Sequence, residues 1–232
     1  MFDSSPRRAQ VRHIRQLSRR ALAIVLPRAL YITHGPRASR QVCVTFDDGP
    51  HPELTPRLLD VLAKEEIKAN FFVVGQMAEK YPDIVRRIEA EGHIVGQHSY
   101  SHPDPMQTPT LEMHREVRAA NRVLREILGH PVRLYRPPHG KVRPADLPLI
   151  WLLHHTIVLW NVDPKDFGMP SAAHLSDWFE GRPLRGGDLI LLHDSSPHAL
   201  VAMPAIAAGL RRSGLQFGSL EQWTRWLPVG QQ

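Results

Sequence analysis

Two carboxylates stand side by side in Thr45-Phe46-Asp47-Asp48-Gly49-Pro50, and two imidazoles lie four residues apart in His98-Ser99-Tyr100-Ser101-His102. Adjacent aspartates resist joint ionisation unless a cation or a guanidinium relieves them. A metal ion on one and an arginine beside the other would do so. Two neutral imidazoles plus one carboxylate form a donor set for a borderline divalent metal and leave a position open for water. A spacing of four predicts that both rings share one face of a helical turn. A His-Glu-x-x-His zinc site would need Glu where Ser99 stands. Arg136 heads a stiff Arg136-Pro137-Pro138-His139-Gly140 segment, Asp163 and Asp166 follow an apolar run, and His193-Asp194 ends another. Singly, each has a structural reading: a solvated turn, a chance pair among 14 histidines, a loop, a packed histidine. Together they imply one place in space where they meet.

The elements that must bring them together alternate along the chain. Strand patterns fall at residues 41–46, 69–74, 93–97, 132–135, 156–162 and 188–193, with a last short one at 215–218. Helical patterns fall between them, at 52–66, 76–91, 110–128, 146–153, 175–179, 200–212 and 220–227. Such repetition predicts parallel strands joined by crossover helices, closed as a barrel or wound as an open sheet. The candidate residues all follow strands, so in either architecture they share the rim built by the strand-to-helix loops. Pro103–Pro109 holds three prolines in seven residues and reads as a rigid surface loop.

Length and composition set the frame. A chain of 232 residues suits one domain with an appended arm, and 42% hydrophobic with 22% charged residues is ordinary for a soluble globular protein. Residues 1–40 carry nine arginines, no lysine and one acid, Asp3. That segment is therefore +8 and, against +6 for the chain, the remainder is −2. The single cysteine, Cys43, excludes an internal disulfide and reads as a core residue. Val11, Ile14, Ala21, Leu22 and Val25 recur near helical spacing among arginines, so the expectation is a basic N-terminal helical arm over 1–40 and a domain over 41–228. The arm fits a helix lying on an anionic membrane, an organellar transit peptide, or a solvated helix packed on the domain. Pro27 and Arg28 interrupt it as a secretory signal, and no apolar run is long enough to span a bilayer. No nucleic-acid fingerprint is present. The expected location is cytoplasmic or peripheral to the membrane.

Five segments, Thr45–Pro50, His98–His102, Arg136–Gly140, Asp163–Phe167 and Leu191–His193, in that order resemble the polysaccharide deacetylases with a NodB-homology domain, carbohydrate esterase family 4. The resemblance spans roughly residues 41 to 220. It implies a distorted (β/α) barrel of about seven parallel strands and a hydrolase that removes N-acetyl, or also O-acetyl, groups from a carbohydrate. It also implies roles. Asp48, His98 and His102 hold one divalent metal, Zn²⁺ foremost, with Co²⁺ and Ni²⁺ also compatible. Asp47 is the base, oriented by Arg136; His193, partnered by Asp166, is the acid. The His139 backbone N–H, with Phe167 and Leu191, borders the oxyanion and substrate. Phe167 stands where the family usually has Trp, and His139 where it usually has Tyr. The implied partner is an N-acetylated saccharide, a lipid-linked one included. Two competing readings are a silent glycan-binding relative, expected to lack Asp47 or His193, and a metal-dependent phosphohydrolase. The second leaves His98 and His102 unexplained, because Mg²⁺ prefers oxygen ligands.

Overall fold

The computed structural model describes residues 22, 23 and 25–224. Seven parallel strands follow the spatial order β1-β6-β5-β4-β3-β2-β7. They are β1 (Tyr31–Ile32), β2 (Gln41–Asp47), β3 (Asn70–Val73), β4 (Ile94–Gln97), β5 (Leu134–Tyr135), β6 (Thr156–Val158) and β7 (Leu189–His193). A short β8 (Gln216–Phe217) pairs with the start of β2. The helices are α1 (Leu54–Lys64), α2 (Gly75–Lys80), α3 (Pro82–Ala90), α4 (Thr110–Leu128), α5 (Leu147–Leu152), α6 (Ala172–Glu180), α7 (Pro197–Arg212) and α8 (Glu221–Thr224). The expected parallel (β/α) architecture is present, as a half-barrel. Among the described residues no β1–β7 ladder closes it. Instead the chain leaving β6 swings across, so that Val162 bridges Ile190, and the Gly35 N–H donates to the Gly187 carbonyl at 2.7 Å. Gly187 has φ +80°, and a Cβ there would meet two backbone oxygens, so the approach requires glycine.

Strand alternation sorts side chains into two populations. Val42, Val44 and Phe46 of β2, Phe71 and Val73 of β3, and Ile190 and Leu192 of β7 face the helices. There they share the main core with Leu58, Leu59 and Leu62 of α1 and Met203 and Ile206 of α7. The intervening positions face the barrel interior. Near the strands' N-terminal ends these are apolar: Cys43, Leu134 and Leu189 pack with Leu220 and Trp223, and Phe72, level with Asp47, joins the same cluster. Toward the C-terminal ends the same face carries Thr45 and Asp47 on β2, His98 just past β4, Arg136 just past β5, and His193 on β7. Period two thus delivers the polar set to one rim.

Several elements differ from the sequence expectation. Residues 76–91 form two helices, because Pro82 has no N–H to donate and its ring pushes Tyr81 to φ −131°, ψ 59°. β6 stops at Val158, since residues 159–162 turn to close the half-barrel. α7 starts three residues earlier than expected, with Pro197 at its first position and the Ser196 hydroxyl accepting the His198 N–H. Tyr31 and Ile32, within the arm segment, pair with β6 and so belong to the sheet. Leu22, Ala23 and Leu26 pack against the cluster of Tyr31, Val117 and Ile157. The rest of the amphipathic arm and residues 225–227 of the last expected helix lie outside the described residues. Among the described residues no helix is long and apolar enough to cross a membrane.

Asn70 ties the C-terminal segment to the sheet: its Nδ2 donates to the Val44 carbonyl at 3.0 Å and its Oδ1 accepts the Leu220 N–H at 3.2 Å. Asn70→Ala leaves the buried Leu220 N–H without its acceptor and strips a donor from the Val44 carbonyl, at about 1–3 kcal/mol. Urea unfolding should show that loss; wild-type stability would contradict the linkage.

Candidate active site

Arg136 anchors the site and is fully buried. Its Nη1 donates to Asp47 Oδ1 at 2.5 Å and Thr45 Oγ1 at 2.7 Å, its Nε to the Val158 carbonyl at 3.1 Å, and its Nη2 to the Leu159 carbonyl at 3.3 Å. The Phe72 ring lies 4.1 Å and the Trp160 ring 5.4 Å from its guanidinium carbon, a cation–π arrangement. Asp47 is buried, and burial pushes its carboxyl above the usual range while Arg136 and His193 pull it back. Its second oxygen, Oδ2, is 3.6 Å from His98 Nε2.

Asp48, His98 and His102 each offer a ligand atom, all within 4.8 Å of one another. His98 Nδ1–H donates to the Arg136 carbonyl at 2.6 Å, which leaves the Nε2 lone pair facing Asp48. Burial, with His102 nearby, pushes the His98 pKa down to about 3, so its imidazole is neutral as a ligand must be. Asp48 Oδ1 lies 3.6 Å from His98 Nε2 and 3.4 Å from His102 Nε2. This donor set fits a borderline divalent cation, one carboxylate and two imidazoles with room for further ligands.

The two rings do not share a helical turn as expected. Residues 98–102 form a loop in which Ser99 has φ 65° and His102 φ 59°, values outside the right-handed helix, and the turn brings the ring centroids to 4.8 Å. Five of the seven non-glycine residues with left-handed φ among those described, Asp48, Ser99, His102, His139 and Lys165, lie in loops around the site. Such conformations persist only where neighbours impose them.

On the opposite side His193 Nδ1 hydrogen-bonds Asp166 Oδ1 at 2.8 Å, and the His193 backbone N–H donates to Asp166 Oδ2 at 2.9 Å. His193 Nε2 faces the site, 3.9 Å from Asp48 Oδ2. Burial works against its imidazolium, but the hydrogen bond and charge of Asp166, with Asp47 and Asp48, override it and raise the pKa to about 9. Phe167, 63% exposed, meets the His193 ring edge to face at 5.2 Å. The exposed His139 ring meets His102 the same way at 4.8 Å. Leu191 is buried on the interior face of β7, two residues before His193. Asp163 turns away, accepting Trp160 Nε1–H at 3.0 Å and Lys165 Nζ at 2.5 Å.

In the sequence Asp194 reads only as a carboxylate beside His193. Its side chain is buried, accepts the Thr55 hydroxyl at 2.6 Å, and lies where a Cβ on Gly49 would be. Burial, opposed by the Thr55 bond and reinforced by Asp48 and Asp47, raises its pKa to about 7. It clamps the loop after β2 to the end of β7.

The polysaccharide deacetylase family model matches residues 34–148. The chain is 33% identical over 195 residues to the peptidoglycan-N-acetylglucosamine deacetylase of Bacillus cereus, covering 82% of this chain and 70% of that protein. It is 33% identical over 186 residues to the chitooligosaccharide deacetylase of Azorhizobium caulinodans, covering 80% and 87% respectively. A crystal structure of a peptidoglycan N-acetylglucosamine deacetylase superposes with a TM-score of 0.79 at 33% identity, over 83% of this chain and 92% of that one. The chain belongs to the polysaccharide deacetylase family, carbohydrate esterase family 4. It is accordingly a metal-dependent carbohydrate deacetylase, a hydrolase acting on non-peptide carbon–nitrogen bonds.

The Asp166 interaction makes a pH prediction. His193 binds its proton more tightly folded, at about 9, than at the ordinary 6.5. Its stabilising effect is complete below the unfolded value and is lost as pH rises through about 9. Urea stability of metal-free protein should therefore fall across that window, and fall less in Asp166→Asn; equal slopes would contradict the pairing.

Proposed function

We propose that this deacetylase hydrolyses N-acetylglucosamine units of a saccharide, with Asp47 as proton acceptor and His193 as proton donor on either side of a Zn²⁺ held by Asp48, His98 and His102. The observation that carries the reading is the pairing of roles around one donor set. The three ligand atoms lie within 4.8 Å, Asp47 is held by Arg136, and His193 is held by Asp166.

A divalent cation there supplies Lewis acidity, polarising the acetyl carbonyl and activating water. The protein's own groups do the rest. Asp47, not needed as a ligand, takes the proton of the attacking water through the carboxylate oxygen that Arg136 leaves open. Arg136 fixes its orientation rather than reacting. His193, kept protonated near neutral pH by Asp166, gives its Nε2 proton to the departing sugar nitrogen. The His139 backbone N–H helps hold the developing oxyanion, and Phe167 and Leu191 form the apolar wall. Each proton-transfer group contributes typically ~10²–10⁴ in rate.

The substrate class follows the relatives, which are named for peptidoglycan and chitooligosaccharides. Zn²⁺ is preferred on donor softness, with Co²⁺ and Ni²⁺ compatible. The catalytic unit is the domain of residues 41–228 joined by β1. The nine arginines of residues 1–40 support contact with an anionic membrane and a lipid-linked acceptor, an enzyme working in the cytoplasm or at the membrane surface. Intact Asp47 and His193 argue against a silent glycan-binding relative.

The test is acetate release from N-acetylglucosamine oligomers by zinc-reconstituted protein. Chelated protein and Asp48→Asn should lose both metal and activity, whereas Asp47→Asn should keep the metal and lose ~10²–10⁴ in turnover. His193→Ala should keep the metal and recover partly on a substrate with an activated leaving group. Full turnover by Asp47→Asn, or equal His193→Ala losses on both substrates, would contradict the assigned roles.

A further inference from the structure

A buried polar chain lies behind the ligand loop, on the helix-facing side of β4, and no step above uses it. Gln97 ends β4 and is fully buried. Its Oε1 accepts the Ser99 N–H at 3.0 Å, which settles the amide's orientation: Nε2 is the end that faces His155 Nε2, at 3.3 Å. Asn121 of α4 brings its Nδ2 to the same ring nitrogen at 2.8 Å. The Gln97 Nε2 can only donate, so the ring nitrogen it faces is an unprotonated acceptor and the ring's proton sits on Nδ1. His155 itself is 1% exposed.

The other end of the chain reaches the metal ligands. The Ser99 hydroxyl accepts the His102 N–H at 3.1 Å, and the Ser99 carbonyl accepts the Gly75 N–H at 2.9 Å. Hydrogen bonds therefore run from His155 through Gln97 and Ser99 to the backbone of His102. Ser99 and His102 are the two residues of this loop held at left-handed φ. Without the Gln97 acceptor, the Ser99 N–H would be left inside a buried turn, and the loop would relax toward ordinary φ values.

We infer that His155, with Asn121, is a positioning residue for the metal site: it holds the Gln97 amide so that the 98–102 loop presents both imidazoles already converged. His155 touches neither metal nor substrate. The inference rests on reading Asp48, His98 and His102 as the ligands. A merely structural buried histidine would support stability and leave metal affinity alone. His93 provides that comparison, since it is also buried and its Nδ1 accepts the Ala69 N–H, away from the loop.

The experiment measures Zn²⁺ affinity of the metal-stripped full chain by competition with a chromophoric chelator, beside urea unfolding of each variant. His155→Leu should weaken Zn²⁺ binding by about tenfold to a hundredfold, the usual effect of losing a partner behind a ligand. Gln97→Met should do the same, and serves if His155→Leu does not fold. His155→Gln, whose amide oxygen can accept both donors, should recover most of the affinity. His93→Leu should lose stability and bind Zn²⁺ as wild type does. Wild-type affinity in His155→Leu or Gln97→Met would overturn the inference, provided Asp48→Asn loses the metal. Wild-type affinity in Asp48→Asn as well would mean that the ligand reading itself had failed.

Discussion

A guanidinium buried at the mouth of a half-barrel needs acceptors for its N–H groups, and the four that Arg136 finds organise the rest of the site. Asp47 and Thr45 come from β2, and the carbonyls of Val158 and Leu159 from the end of β6 and the residue after it. Arg136 also uses its own carbonyl to accept His98 Nδ1–H. One residue therefore joins the base candidate, a ligand candidate and the segment that leaves β6 to bridge β7. Removing one partner of such a buried pair costs about 3–5 kcal/mol, because the other charge is left without compensation. Stability and chemistry are coupled here. The rings of Phe72 and Trp160 flank the guanidinium.

The same ion pair sets two neighbouring carboxylates in two different surroundings. Asp47 lies in the sheet, buried and turned toward Arg136, whereas Asp48, at φ 74°, leaves the strand and turns its oxygens toward the imidazoles. Identical side chains, one residue apart, reach different environments because the strand ends between them. His193 completes the division from the opposite edge. Asp166 holds its Nδ1 and aims Nε2 back toward Asp48. Asp194, bonded to Thr55 and seated against Gly49, keeps the loop carrying Asp48 in register with β7.

Much of this was legible in the sequence. Residue types at strand ends pointed to a single rim, and the helix over 110–128 falls where its periodicity places it, as Thr110–Leu128. The parallel architecture followed from the alternation of elements. What escaped has physical causes. β1 is two residues long, too short for any periodic signal, and exists because β6 offers it an edge. The spacing of His98 and His102 suits a helix, but the hydrogen bonds of Gln97 and Ser99 impose left-handed turns that spacing cannot reveal. Asp194 and His155 look unexceptional as letters. Their significance depends on Thr55 and Gln97, partners 139 and 58 positions away.

If Asp47 is the base, Arg136 holds it through the geometry of its fork and not through charge alone. The direct measurement is zinc content and the initial rate of acetate release for Arg136→Lys, which keeps a cation but cannot make the same set of bonds. The variant should retain close to one zinc per chain and lose ~10²-fold or more in turnover, because Asp47 would no longer be held to accept a proton. A folded, zinc-loaded Arg136→Lys enzyme with wild-type turnover would contradict it.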